Sequence, residues 1–180
     1  SRDLSREDSQ SLSIFLHSIS DVERISDHSI GIAERAKLIH AEGMAFSKAA
    51  TNEIGVISSA VKEIIDTTVN VFVSGNQDAA GEVVPLELVV NRLTKEIKRR
   101  HVKRLRKGKC TIELGLSLED ILTVLDRVAD HCANIALAIL EIHDDEYNTH
   151  AYMDTVERND SSFKQSVSIY ESRFALPEKK

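Results

Sequence analysis

Apolar residues recur every three or four positions through most of the chain, the period of an α-helix that buries one face. Leu12, Phe15, Leu16, Ile19, Val22, Ile25, Ser29, Ile32 and Ala36 form the first such stripe. Ser5-Arg6-Glu7-Asp8 reads as its N-cap, with an acid three residues on, and Gly43 as its stop. A second helix is expected from about Met44 to Phe72, with Ile54, Ile57, Val61, Ile64, Ile65, Thr68 and Phe72 inward and Ser74-Gly75-Asn76 ending it. A third begins between Asp78, which can cap, and Pro85, which suits a first turn. Leu86, Val89, Val90, Leu93, Ile97, Val102 and Leu105 carry it to Lys107, and Gly108 stops it. The fourth runs from Thr111 or Glu113 to Ile142, turning Leu114, Leu118, Ile121, Leu122, Leu125, Val128, Ile135, Ala136 and Ile139 inward. Beyond a polar connector at Asp144-Asp145-Glu146, Asp160-Ser161-Ser162-Phe163 opens a short last helix through Val167, Tyr170 and Phe174. Leu176-Pro177 closes it, and Lys179-Lys180 is expected to fray.

Composition supports an all-α class. A hydrophobic fraction of 42 % and a charged fraction of 29 % suit a globular helical protein, while 4 % aromatic and 2 Pro argue against a sheet-rich one. At 180 residues the chain can bury a real core. Its longest purely apolar run, Ile135 to Leu140, falls far short of the roughly 20 residues that span a bilayer. The chain itself is therefore expected to be soluble, with any membrane link supplied from outside it. The absence of an initiator Met and of a signal segment suggests a piece of a longer protein. Cys110 and Cys132 form no Cys-x-x-Cys pairing, so a reducing, cytosolic setting is the plain reading and Cys132 is expected to be a small core residue.

Inside the helical pattern one stretch occurs twice. Val22-Glu23-Arg24-Ile25-Ser26-Asp27-His28-Ser29-Ile30-Gly31-Ile32-Ala33 returns 103 positions later as Leu125-Asp126-Arg127-Val128-Ala129-Asp130-His131-Cys132-Ala133-Asn134-Ile135-Ala136. In each copy two acids four apart, Glu23 with Asp27 and Asp126 with Asp130, share one helix face. Like charges so placed weaken a helix by roughly 0.2–0.5 kcal/mol, so something should compensate. Arg24 can pair with Asp27 and Arg127 with Asp130, three residues apart. The other compensation is a cation held by both carboxylates and by acids of a neighbouring helix. The second copy favours the cation, because solvated faces have little reason to repeat in register. His28 and His131 can offer nitrogen, but each lies about 100° around the helix from the preceding Asp, which suits a hydrogen-bonding or surface role better.

The doubled acid-Arg-[Ile or Val]-x-Asp-His…Ile-Ala pattern resembles the PhoU family of phosphate-transport regulators. The run Arg100-His101-Val102-Lys103-Arg104-Leu105-Arg106-Lys107-Gly108-Lys109-Cys110 resembles the form fused to the cytoplasmic C-terminus of sodium/phosphate cotransporters. That resemblance implies antiparallel three-helix bundle repeats. Residues 1–42 would be the last helix of a truncated first repeat, 43–143 a complete second repeat, and 144–180 a connector with a short C-terminal helix. It further implies metal bound through Glu23, Asp27, Asp126 and Asp130, with Glu87 on the preceding helix as a further ligand. Asn91 stands where the family pattern has a second acid there, which weakens a multivalent site. The alternative for Glu87 is an acid favoured by the start of its helix. Carboxylate ligation suits Mg, Ca, Mn or Fe, and Zn is also compatible. The function so implied is regulation of sodium-dependent phosphate uptake from the cytoplasmic side of the plasma membrane, with the membrane-embedded transporter part of the same parent protein as partner. A stand-alone regulator of phosphate uptake and a metal-free structural tether are the alternatives.

Nine of the 23 basic residues lie between Lys95 and Lys109. They could grip phosphate, nucleic acid or an anionic membrane, or simply complement the end of their helix. A net charge of −6 and the lack of interleaved aromatics argue against nucleic acid. An enzyme is not expected: no Gly-rich phosphate loop, nucleophile elbow or His-Glu-x-x-His occurs. No His has Glu three places before it, which sets aside a ferritin-like di-iron oxidase. The apolar stripe of Leu12, Phe15, Ile19 and Ile25 should be covered by the second repeat or by another copy, as a homodimer or a swapped assembly.

Overall fold

The computed structural model describes residues 6–143 and 161–178, and among them holds five α-helices and no strand. They are α1 (Arg6–Ala41), α2 (Lys48–Ser74), α3 (Gln77–Arg106), α4 (Ile112–His143) and α5 (Ser161–Arg173). The expected cap at Ser5, the connector from Asp144, the start at Asp160 and the last two lysines lie outside the described residues.

Short polar side chains set the starts of the middle helices by taking a free backbone N–H. Ser47 Oγ accepts from Ala50 N at 3.3 Å, Asn76 Oδ1 from Ala79 N at 3.2 Å, and Thr111 Oγ1 from Leu114 N at 3.3 Å. Gly43, Gly75 and Gly108 stand at φ of 65°, 65° and 63°, the left-handed turn that ends a helix without a Cβ clash. Two helix starts differ from those expected. The second helix starts at Lys48 rather than near Met44, because Ser47 is the residue that caps it. The third starts at Gln77 under Asn76, so Pro85 lies inside it and not in its first turn. A proline ring there crowds the carbonyl four residues back, which belongs to Gly81, and Pro85 is fully buried against its neighbours.

The core lies between α2, α3 and α4, where Ile57, Ile64, Leu86, Ile97, Leu118 and Leu122 are wholly enclosed. Val102 and Leu105, expected inside, are instead exposed at the end of α3. Cys132 is buried, and burial pushes its thiol up to about 11, so it is an inert core residue as expected. On the outside of α3, α5 seals the bundle with Phe163, Val167 and Tyr170, and Phe174 just beyond its end joins them. Glu82 accepts from Ser166 Oγ at 2.9 Å and Tyr170 Oη at 3.3 Å, Arg92 meets Glu171 at 2.5 Å, and Arg173 pairs with Glu63. Burial beside Glu82 pushes the Tyr170 hydroxyl up to about 12, so it serves as a donor throughout the ordinary pH range.

Helix α1 runs antiparallel along α4, bringing Asp21 to His131 and Arg35 to Asp120. The edge that packs carries Ile14, Ser18, Ile25, Ile32 and Ile39, with only Ile25 and Ile32 in common with the expected stripe. Leu12, Phe15, Leu16, Ile19 and Val22 stay between 47 % and 62 % exposed, with Phe15 meeting Phe72 edge-on at 5.6 Å. The second repeat therefore covers Ile25 and Ile32 of the expected stripe and leaves its Leu12-to-Val22 part largely open.

Candidate functional site

Residues 103 apart meet where α1 crosses α4. His28 and His131 hold equivalent places in the two motif copies, and their rings stack with centroids 5.6 Å apart and planes 25° apart. An antiparallel pair of equivalent helices touching at equivalent residues makes a local twofold. It is imperfect, because His131 Nδ1 lies 2.8 Å from Asp21 Oδ1 while the position equivalent to Asp21 on α4 is Val124. The His131 ring is thereby a hydrogen-bonding one, as its place on the helix predicts. Burial, then the neighbouring His131, hold His28 below the usual histidine value. The folded chain therefore resists protonation there, and stability should fall as pH drops through about 6.5. His101 is shifted the same way, first by burial and then by Arg104, and adds to the same loss.

The four motif acids divide into two separate pairs. With Ile25 and Ile32 against α4, a 100° step per residue turns Glu23 and Asp27 to the far side of α1, and both are exposed. Asp126 and Asp130 lie on the flank of α4 toward α3, Asp126 half-buried and Asp130 exposed. Glu87 is half-buried on α3. Among the described residues, no three His, Cys, Asp or Glu side chains gather as a metal cluster. The Arg compensation does not form either as an ion pair: neither Arg24 with Asp27 nor Arg127 with Asp130 is paired among the described residues.

Asp126 is the strained member. One of its oxygens, Oδ1, is buried without a hydrogen-bond partner. Thr94 on α3 lies close enough to ease the charge without aligning as a donor, and Lys98 and Lys95 act from farther away. Burial first, and Asp130 second, hold its carboxyl above the usual 3.8. A raised carboxyl binds its proton more tightly folded than unfolded, so ionisation costs stability as pH climbs through and beyond that value. Asp126→Asn is accordingly expected to raise the melting temperature at neutral pH, and a lowered one would show that its charge is compensated. The donor set is too sparse for a closed cage. It fits a hard divalent ion that keeps most of its water, held through one or two carboxylates.

Sequence reasoning missed a buried ionic centre at the other end of the bundle. Glu53 on α2 is 3 % exposed, with Arg104 Nη2 at 2.8 Å from Oε2 and Arg100 Nη1 at 3.4 Å from Oε1. Arg100 also donates to Pro177 O at 2.7 Å and meets Glu96 at 2.8 Å, tying the tail beyond α5 to α3. A signal was there, since Glu53 precedes Ile57, Ala60 and Ile64 on their own helical stripe. Next to this centre, a Cβ on Gly115 would stand 2.8 Å from His101 Nε2, so glycine lets α4 approach α3. A groove of about 560 Å³ between α1 and α4 carries Arg127, Glu34 and the Arg35–Asp120 pair, and its mixed signs do not make an anion cradle.

The family profile of the PhoU domain matches residues 54–139, from α2 to near the end of α4. Over 122 residues the chain is 29 % identical to the "Phosphate-specific transport system accessory protein PhoU homolog 1" of Thermotoga maritima, covering 68 % of this chain and 52 % of that relative. The chain thus spans about half the length of the curated relative it matches. No solved structure matches.

Proposed function

We propose that this chain, with a PhoU domain at residues 54–139 as the premise, is a regulatory module of phosphate homeostasis, acting on phosphate uptake and not as a catalyst. The observation that carries this reading is the doubled motif whose equivalent residues, His28 and His131, meet on a local twofold. The basic link into α4 favours a cytoplasmic domain of a sodium-dependent phosphate transporter over a stand-alone regulator. Among the described residues no helix is long and apolar enough to cross a membrane, so the transporting part would lie elsewhere in the parent protein.

In this reading Asp126 and Asp130 hold a hydrated divalent cation, with Asn91 and Glu87 of the facing helix α3 as further candidate ligands, and Glu23 and Asp27 form the equivalent half-site on α1. A cation would relieve the charge of Asp126, which Thr94, Lys98 and Lys95 offset only in part, and this is what favours it over a metal-free tether. The exposed face of α1 supports a second proposal, that two copies pair through Leu12, Phe15, Leu16, Ile19 and Val22.

The test combines two readouts on one variant, with Glu23, Asp27, Asp126 and Asp130 all changed to Ala. Calorimetric titration with Mg, Ca and Mn should show binding to the native chain that the variant loses, and cells whose parent protein carries the variant should take up phosphate at an altered rate. Unchanged metal stoichiometry would sink the cation site. Unchanged uptake, even with the whole chain deleted, would sink the regulatory role.

A further inference from the structure

The tip where α3 turns into α4 carries apolar and basic surface left exposed among the described residues. Lys98 on α3 meets Glu119 on α4 at 2.5 Å. Because the two helices are antiparallel, the next turn toward the connection sets Val102 and Leu105 of α3 alongside Leu116 and Ile112 of α4. The same closeness shows at Gly115, where an added Cβ would be 3.4 Å from Leu105. All four side chains are exposed, Ile112 by 67 % and Leu116 by 64 %. Lys103, Arg106, Lys107 and Lys109 lie at the same end of the bundle, all exposed and without an ion pair among the described residues. Against these cations stand Glu113 and Glu119, the second already neutralised by Lys98, and Glu42, which the antiparallel run of α1 along α4 brings to the same end.

Basic residues in a last turn are accounted for by the helix dipole. Two large apolar side chains in the first turns of the following helix are not. A basic rim around exposed aliphatic residues is the composition of surfaces that lie in a lipid headgroup layer. The rest of a chain of net charge −6 would be repelled by such a layer, so charge alone would orient this tip toward it.

We propose that the α3–α4 tip docks on an anionic lipid surface, with Ile112 and Leu116 seated among the headgroups and Lys103, Arg106, Lys107 and Lys109 on the lipid phosphates. This rests on the tip alone and stands or falls apart from the phosphate reading.

Co-sedimentation of the full chain with vesicles tests it. Vesicles containing phosphatidylserine should retain the protein, vesicles of phosphatidylcholine alone should not, and added salt should release it. The double variant Lys103→Glu with Lys107→Glu should bind about tenfold or more weakly. Ile112→Ser with Leu116→Ser should also weaken binding although no charge changes, and both variants should melt as the native chain does. A native chain that ignores phosphatidylserine overturns the proposal. So does charge-dependent binding that survives the serine pair, because the tip would then be reading charge alone, as for an acidic protein partner.

Discussion

Replacing Glu53 by Ala is expected to destabilise the fold by about 3–5 kcal/mol, the usual cost of removing one member of a buried ion pair. The side chain of Glu53 is 4 % exposed, and those of Arg100 and Arg104 are 14 % and 15 % exposed. Without the carboxylate, two guanidinium groups would be left in a partly enclosed space whose remaining acid is Glu96, half-buried and beside Arg100 and Arg99. Arg104 is the worse placed, because its Nε and Nη2 have no hydrogen bond among the described residues even now, and Nη2 meets Glu53 as an ion and not as an aligned donor. The loss should also travel outward, since Arg100 holds Pro177 O and so the tail that follows α5. Urea unfolding of the native chain and the variant measures the effect. A loss below about 1 kcal/mol would show that water already solvates the pair, as for an exposed one.

That centre marks the limit of what could be read from the residues. Helix existence followed from apolar periodicity, because a face that must be buried leaves a 3.6-residue trace whatever it is buried against. Helix ends followed less well. Ser47 and Asn76 are ordinary caps, yet Asp78 and Pro85 gave a louder local signal, and only the packing of Pro85 into the core decides against them. Glu53 was passed over because an acid on an apolar stripe looks like a break in the pattern until its partners, forty-seven and fifty-one positions later, are brought to it. Of the site, the acid pairs and their division between two helices were legible. That Asp126 alone is half-buried was not, since it depends on how closely α3 lies along α4. The orientation of α1 was legible only in part: two apolar edges run along it, and periodicity cannot say which one finds a neighbour.

Those two edges lead to a paired expectation. By the 103-residue repeat, Ile19 is the counterpart of Leu122, Phe15 of Leu118 and Val22 of Leu125. The α4 members are enclosed by α2 and α3, at 0 %, 1 % and 6 % exposure, whereas the α1 members are exposed by 60 %, 54 % and 53 %. Leu122→Ala removes three buried heavy atoms and should cost about 2–5 kcal/mol. Ile19→Ala should cost no more than about 0.5 kcal/mol if the outer face of α1 meets water, as for other exposed positions. If two copies cover that face, the same change must cost much more, and the melting temperature of the native chain must rise with protein concentration, because association stabilises by mass action. Thermal melts of both variants over a wide range of concentrations therefore separate the two cases. A small, concentration-independent loss at Ile19 beside a large one at Leu122 would end the dimer proposal while leaving the fold as described. A large loss at both, growing weaker on dilution, would mean that α1 is completed by a neighbour as α4 is completed by α2 and α3.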